Sequence, residues 1–270
     1  MTPKKRAKRA RLQALLKAST IAEARYVRDL RNIAKQIASG TLRALNKHRP
    51  GLHLDAYRPN LGRVSAHSET VNLLGVTIQT HVKAETGKAF DRMSATVNKT
   101  NAAAVKQIVG IPLARTAPEA TIATFRAANI ALMQKAGSAY IEQVRGVLEN
   151  PANDGVRVEE LADQLRTLAA DMGERGDVLA SRAELIARDQ TLKLNANLTQ
   201  SRMQDAGVEQ YDWSTSQDER VRPMHAALEG SRQRFDSPPV TNEEGETNNP
   251  GEDIQCRCIA LPVVVSFDDL

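Results

Sequence analysis

Chemistry in this sequence concentrates in its last quarter. There Asp218, Arg220, Arg222, His225, Cys256, Arg257 and Cys258 stand within 41 residues of one another. Cys256 and Cys258 are the chain's two cysteines. In an extended strand, residues i and i+2 face the same side, so both sulfurs can meet one partner. A disulfide between them would close a small, strained ring, and two cysteines build no disulfide framework. A metal is a more physical use of two co-facial thiols. Zinc takes four N, S or O donors in a tetrahedron, and His225 and Asp218 are candidates for the third and fourth. The spacing alone does not decide this, because a strong zinc pattern carries two CxxC-type pairs. Two buried thiols beside a surface histidine remain an alternative. The same residues also permit a metal-dependent hydrolase built on Asp218, His225, Cys256 and Cys258. Against that, no general base is evident, and nothing places either cysteine at a helix N-terminus, where its thiolate would be activated. The chain also lacks a P-loop, a dinucleotide-binding glycine pattern and an HExxH pair. An enzyme is therefore not expected.

The second candidate for chemistry is a charge run. Residues 4–11 contain Lys4, Lys5, Arg6, Lys8, Arg9 and Arg11. Residues 1–50 hold 14 Lys/Arg against 2 Asp/Glu, a net of +12, whereas residues 209–270 hold 5 against 13, a net of −8. The asymmetry is larger than the overall +5 suggests. It points to double-stranded DNA or an acidic protein at one end of the molecule, or to a solvated helix start. No aromatic residue interleaves the basic run, so contact with DNA would be to phosphate, salt-sensitive and indifferent to sequence.

The elements that must position these groups are mostly helices. Hydrophobic residues make up 41% and aromatic residues only 3%, a mixture that suits long helices better than packed sheets. Apolar residues recur at helical spacing from Leu12 to Leu45, from Val71 to Ile108 and from Pro118 to Leu148. Residues 50–65, with Pro50, Gly51, Pro59 and Gly62, read as a loop. Leu161, Leu165, Leu168 and Met172 predict a shorter helix, and Leu179 to Leu198 predict another, closed by Gly207. Residues 208–215 then alternate like a strand, residues 218–230 form a short helical stretch, residues 231–255 form a polar loop, and CRCIALPVVV ends as a strand. The expected fold is mainly α with a C-terminal α+β unit: an extended long-helix region over 1–150 with a basic N-terminal arm, and a small compact domain over 151–270. No apolar run approaches a membrane span and no signal-peptide core opens the chain, so a cytoplasm-like compartment and no membrane partner are expected.

With these residues in view, the C-terminal pattern resembles a known family. WSTSQDERVRPMHAALEG followed by a polar loop and PGEDIQCRCIALPVV is similar to the signature of Mu F-like phage head-morphogenesis proteins. In that signature an aromatic strand precedes an acid with Arg-Val-Arg, then a histidine, a Pro-Gly and a Cys-Arg-Cys strand. Here these fall on Trp213, Asp218, Arg220, Val221, Arg222, His225, Pro250, Gly251, Cys256, Arg257 and Cys258. The upstream helix, LIARDQTLKLNANLTQSRMQDAG, is also similar, although Thr191 is followed by Leu192 where the family usually has an acid. The resemblance is specific over residues 180–265 and looser over 120–180. It implies a minor head protein of the virion, made in the host cytoplasm and acting in procapsid assembly at the portal vertex. Implied partners are the portal protein, the major capsid or scaffolding protein, and packaged DNA. Some relatives carry an appended toxin domain; the sequence ends at Leu270, just after the signature, and none is expected here.

Overall fold

The computed structural model describes residues 3–47, 61–110, 119–148 and 178–263, together with residues 150, 160, 164 and 167. Four long helices dominate: α1 (Pro3–Lys47), α2 (Leu61–Val109), α3 (Glu119–Leu148) and α4 (Val178–Asp205). A small α+β segment follows, with β1 (Gln210–Ser214), α5 (Pro223–Ala227), β2 (Arg232–Arg234) and β3 (Ile259–Pro262). The chain is thus mainly helical with a C-terminal α+β part, as the periodicity predicts. The expected helix at Leu161, Leu165, Leu168 and Met172 lies outside the described residues. Of the expected loop over 50–65, its first part lies outside them too, while α2 already begins at Leu61.

The chain gathers into two compact units that share the long helices. One comprises Val27–Ala89 and Ala127–Ile186. Its core repeats at three- and four-residue steps: Leu30, Ile33, Ile37 on α1; Val71, Leu74, Ile78, Val82 on α2; Met133, Tyr140, Ile141, Val144 on α3. Gly137 lies at the α2–α3 contact, where a β-carbon would meet Ile78 Cγ2 at an ordinary contact distance of 3.6 Å. Gln79 seals the same crossing by donating to Gln134 O at 3.0 Å and to Ser138 Oγ at 2.8 Å.

The other unit comprises residues up to Tyr26, Phe90–Arg126 and the chain from Ala187 onward. Its sheet has the order β2-β1-β3, antiparallel throughout, with Trp213 opposite Ala260 and Asp212 opposite Arg232. Tyr211 and Trp213 alternate onto the buried face of β1, where they meet Val105, Ile108, Met203, Phe235 and Ile259 in one apolar cluster. Residues 231–255 are not a plain polar loop. They contain β2 and a further bridge between Val240 and Thr247. Arg-Gln-Arg carries no strand signal of its own; β1 recruits it through backbone pairing. Gly207, at φ 78°, ends α4 as expected, and Val208 N then donates back to Met203 O at 2.9 Å in a Schellman closure.

Candidate functional site

The site is assembled by three short pieces of chain. Pro223 opens α5 at a position where its missing N–H costs nothing, and two residues later His225 points inward, only 2% exposed. The strand approach Gln255–Cys258 supplies the sulfurs, with Cys256 4% and Cys258 5% exposed. Between them runs the Pro250-Gly251 turn. Gly251 has φ 91°, and a β-carbon there would lie 2.5 Å from Ala196 Cβ of α4, so this approach accepts no side chain. Asp189 of α4 anchors the same segment by accepting from Gln255 N at 2.8 Å, where Gln255 itself adopts φ 54°. Arg222 ties the start of α5 to the segment by donating to Ile254 O at 2.8 Å.

His225 Nδ1 lies 3.5 Å from Cys256 Sγ and 3.5 Å from Cys258 Sγ. All three donor atoms are within 4.8 Å of one another. The other ring nitrogen, Nε2, lies 3.1 Å from Asp253 Oδ2 without an aligned hydrogen bond, and neither atom has a hydrogen-bond partner among the described residues. Trp213 stands edge-on to the imidazole, ring centres 5.6 Å apart. The two thiols are strongly unequal. The hydrogen bond with Cys258 pulls Cys256 down to about 5 against the effect of burial, and the contact with His225 helps. The same hydrogen bond and burial push Cys258 up. His225 is raised, first by its hydrogen bond with Cys256, against burial and with help from Asp253.

Of the four expected ligands, the structure brings together His225, Cys256 and Cys258. Asp218 stands apart from them, in a two-pronged ion pair with Arg257 at 2.6 and 2.8 Å. It also accepts from Arg220 N at 3.1 Å. Its slight burial opposes ionisation, but the bonds from Arg257 and Arg220 outweigh it and hold the carboxyl below its usual range. Sequence reasoning missed Asp253, whose place beside the histidine is set by the turn after Gly251. It also missed Glu229, which accepts from Thr215 N at 2.6 Å and Thr215 Oγ1 at 2.8 Å and so closes the β1–α5 connection. The side chains of Lys4, Lys5, Arg6, Lys8, Arg9 and Arg11 lie outside the described residues, although α1 already runs through these positions.

Residues 142–261, which include the whole His-Cys-Cys cluster, match the family model described as Phage Mu protein F like protein. This segment is similar to that family over those residues. The chain is also 36% identical over 165 residues to an uncharacterized protein of Haemophilus influenzae (strain ATCC 51907 / DSM 11121 / KW20 / Rd), a match covering 59% of this chain and 34% of that protein. The chain therefore spans about a third of the length of the curated relative it matches. No solved structure matches. No helix among the described residues is long and apolar enough to cross a membrane.

Proposed function

We propose that the chain is a minor head protein that acts in procapsid assembly at the portal vertex, in the host cytoplasm and then in the virion head. The observation that carries this reading is the match of residues 142–261 to the Mu F-like family. Two further features favour a role in assembly. Long helices supply extended faces for partners, and on α2 Leu73 and Val76, one turn apart, are 62% and 66% exposed. Portal protein is the proposed principal partner, with the major capsid or scaffolding protein as a further contact. Co-purification of the full chain with its phage's portal protein tests this. A stable complex is expected, and failure to bind portal, capsid and scaffolding proteins alike would overturn it.

The net +12 over residues 1–50 favours a second, compatible role: non-specific contact with packaged double-stranded DNA. Such contact releases counterions, so affinity should fall steeply as salt rises. Changing Lys4, Lys5, Arg6, Lys8, Arg9 and Arg11 to Gln is expected to flatten the salt dependence in gel-shift titrations without loss of helix content. Unchanged binding at moderate salt would refute a role for the arm.

A further inference from the structure

We propose that His225 Nδ1, Cys256 Sγ and Cys258 Sγ bind one zinc ion, that Asp253 orients the histidine, and that the fourth position opens on a neighbouring arginine-lined cavity. This inference is independent of the head-protein reading.

Distances come first. Zinc lies about 2.3 Å from a thiolate sulfur and about 2.0–2.1 Å from an imidazole nitrogen, and at the tetrahedral angle these bonds set sulfur and nitrogen about 3.5 Å apart. Both Nδ1–Sγ separations are 3.5 Å. A neutral imidazole has one lone pair on Nδ1, directed in the ring plane, and it accepts one good hydrogen bond. Two sulfurs at equal distance are better served by a single atom lying between all three donors.

The surroundings agree. A metal-bound histidine gives its second N–H to a carboxylate or carbonyl, which fixes the tautomer and the ring angle. Asp253 Oδ2 stands 3.1 Å from Nε2, and a small rotation of the ring would bring the N–H onto it. That leaves Nδ1 as the lone-pair atom facing the sulfurs. A backbone N–H also meets one of the sulfurs, as it would an anion: Cys258 N donates to Cys256 Sγ at 3.4 Å. The ring of Trp213 stands edge-on to His225, centres 5.6 Å apart, and closes the apolar side of the cluster.

Two thiolates and a neutral histidine leave a divalent ion with one vacancy. A cavity of about 140 Å³ borders all three donors and is also lined by Arg220, Arg222 and Arg257. It has room for a water to complete the tetrahedron. Asp218, held by Arg257 on the cavity side, remains outside the donor set. The ion would join α5 to the end of the long connection before β3, which is otherwise held largely by polar contacts.

The test uses the full chain purified from zinc-supplemented cells. Elemental analysis is expected to find about one zinc per chain. After exchange, the cobalt form is expected to show thiolate-to-metal charge-transfer absorption. Zinc is expected to protect both thiols from an alkylating reagent, and these readouts need no variant. Cys256→Ser, Cys258→Ser and His225→Ala should lose the ion. Asp253→Asn should weaken zinc binding about 10–100-fold, whereas Asp218→Asn should bind as the parent does. A metal-free chain whose thiols react equally fast with and without zinc would overturn the site. Loss of zinc in Asp218→Asn with full retention in Asp253→Asn would overturn the donor set.

Discussion

Replacing Asn101 with alanine should be among the most damaging single changes in the molecule, although Asn101 lies far in sequence from the Mu F-like signature. Its side chain is fully buried on α2. The amide nitrogen donates to Asn195 O at 3.1 Å, Asn195 Oδ1 at 2.9 Å and Thr199 Oγ1 at 2.6 Å, all on α4. Its oxygen accepts from Arg202, whose second prong reaches Asn98 Oδ1. Arg202 is only 5% exposed, and burial lowers its pKa against the pull of Asp205. Alanine removes the acceptor from a buried cation, worth about 1.5–3 kcal/mol, and roughly 1 kcal/mol for the amide's donated bonds taken together. The sum is about 3 kcal/mol, which for a protein of this size lowers the thermal midpoint by roughly 6–12 °C. Asn197 provides the control. It is half-buried and donates only within its own helix, to Lys193 O at 3.1 Å, so Asn197→Ala should cost at most about 0.5 kcal/mol. Thermal and urea unfolding of both variants measure the contrast. Equal, small effects at the two positions would refute the claim that a polar bridge between α2 and α4 holds this unit together. In a double-mutant cycle, Asn101→Ala and Arg202→Met should couple by about 1.5–3 kcal/mol.

Three further substitutions test the packing around the site, each read by denaturant unfolding. Gly251→Ala meets both a φ of 91° and a 2.5 Å clash with Ala196, and should cost about 2 kcal/mol or more; a neutral result would mean the turn is free to move. Tyr211→Phe deletes the hydroxyl that donates to buried Asn249 Oδ1 at 3.0 Å and should cost about 1–2 kcal/mol, with no change in sheet content by circular dichroism. Trp213→Ala empties the largest fully buried position and should cost about 3–5 kcal/mol, whereas a loss below about 1 kcal/mol would place Trp213 outside the core.

The long helices were legible because their apolar stripes are periodic and their ends are punctuated. Leu30, Ile33, Ile37, Val71, Ile78, Val82, Met93 and Val97 all lie on expected stripes and are buried. Where the stripe is broad, its centre was misjudged. On α3 Leu132 is 37% exposed while Ile130, Met133 and Ile141 are buried. On α4 the expected stripe of Leu179, Ala183, Ile186, Gln190, Leu194 and Leu198 is buried except at Ile186, whose place Ala187 takes, and polar Thr191 and Asn195 are buried beside it. Hydrophobic periodicity cannot show a helix face lined with amides. The site divides the same way. His225, Cys256 and Cys258 were found from residue type and signature. Asp218 looked equivalent to them in the sequence, but the nearest cation, Arg257, sits between the cysteines and claims its carboxylate. Asp253, one acid among many in a polar stretch, carries no local signal. Only the turn at Gly251 brings it to the imidazole.

The proposed function makes this chain a head component of a phage particle. Quantitative mass spectrometry of purified, DNA-filled particles and of procapsids tests it most directly. The chain is expected in both, in few copies per particle relative to the major capsid protein and in a fixed ratio to the portal protein. Its absence from procapsids and mature particles alike, at a sensitivity that detects the portal protein, would contradict the account.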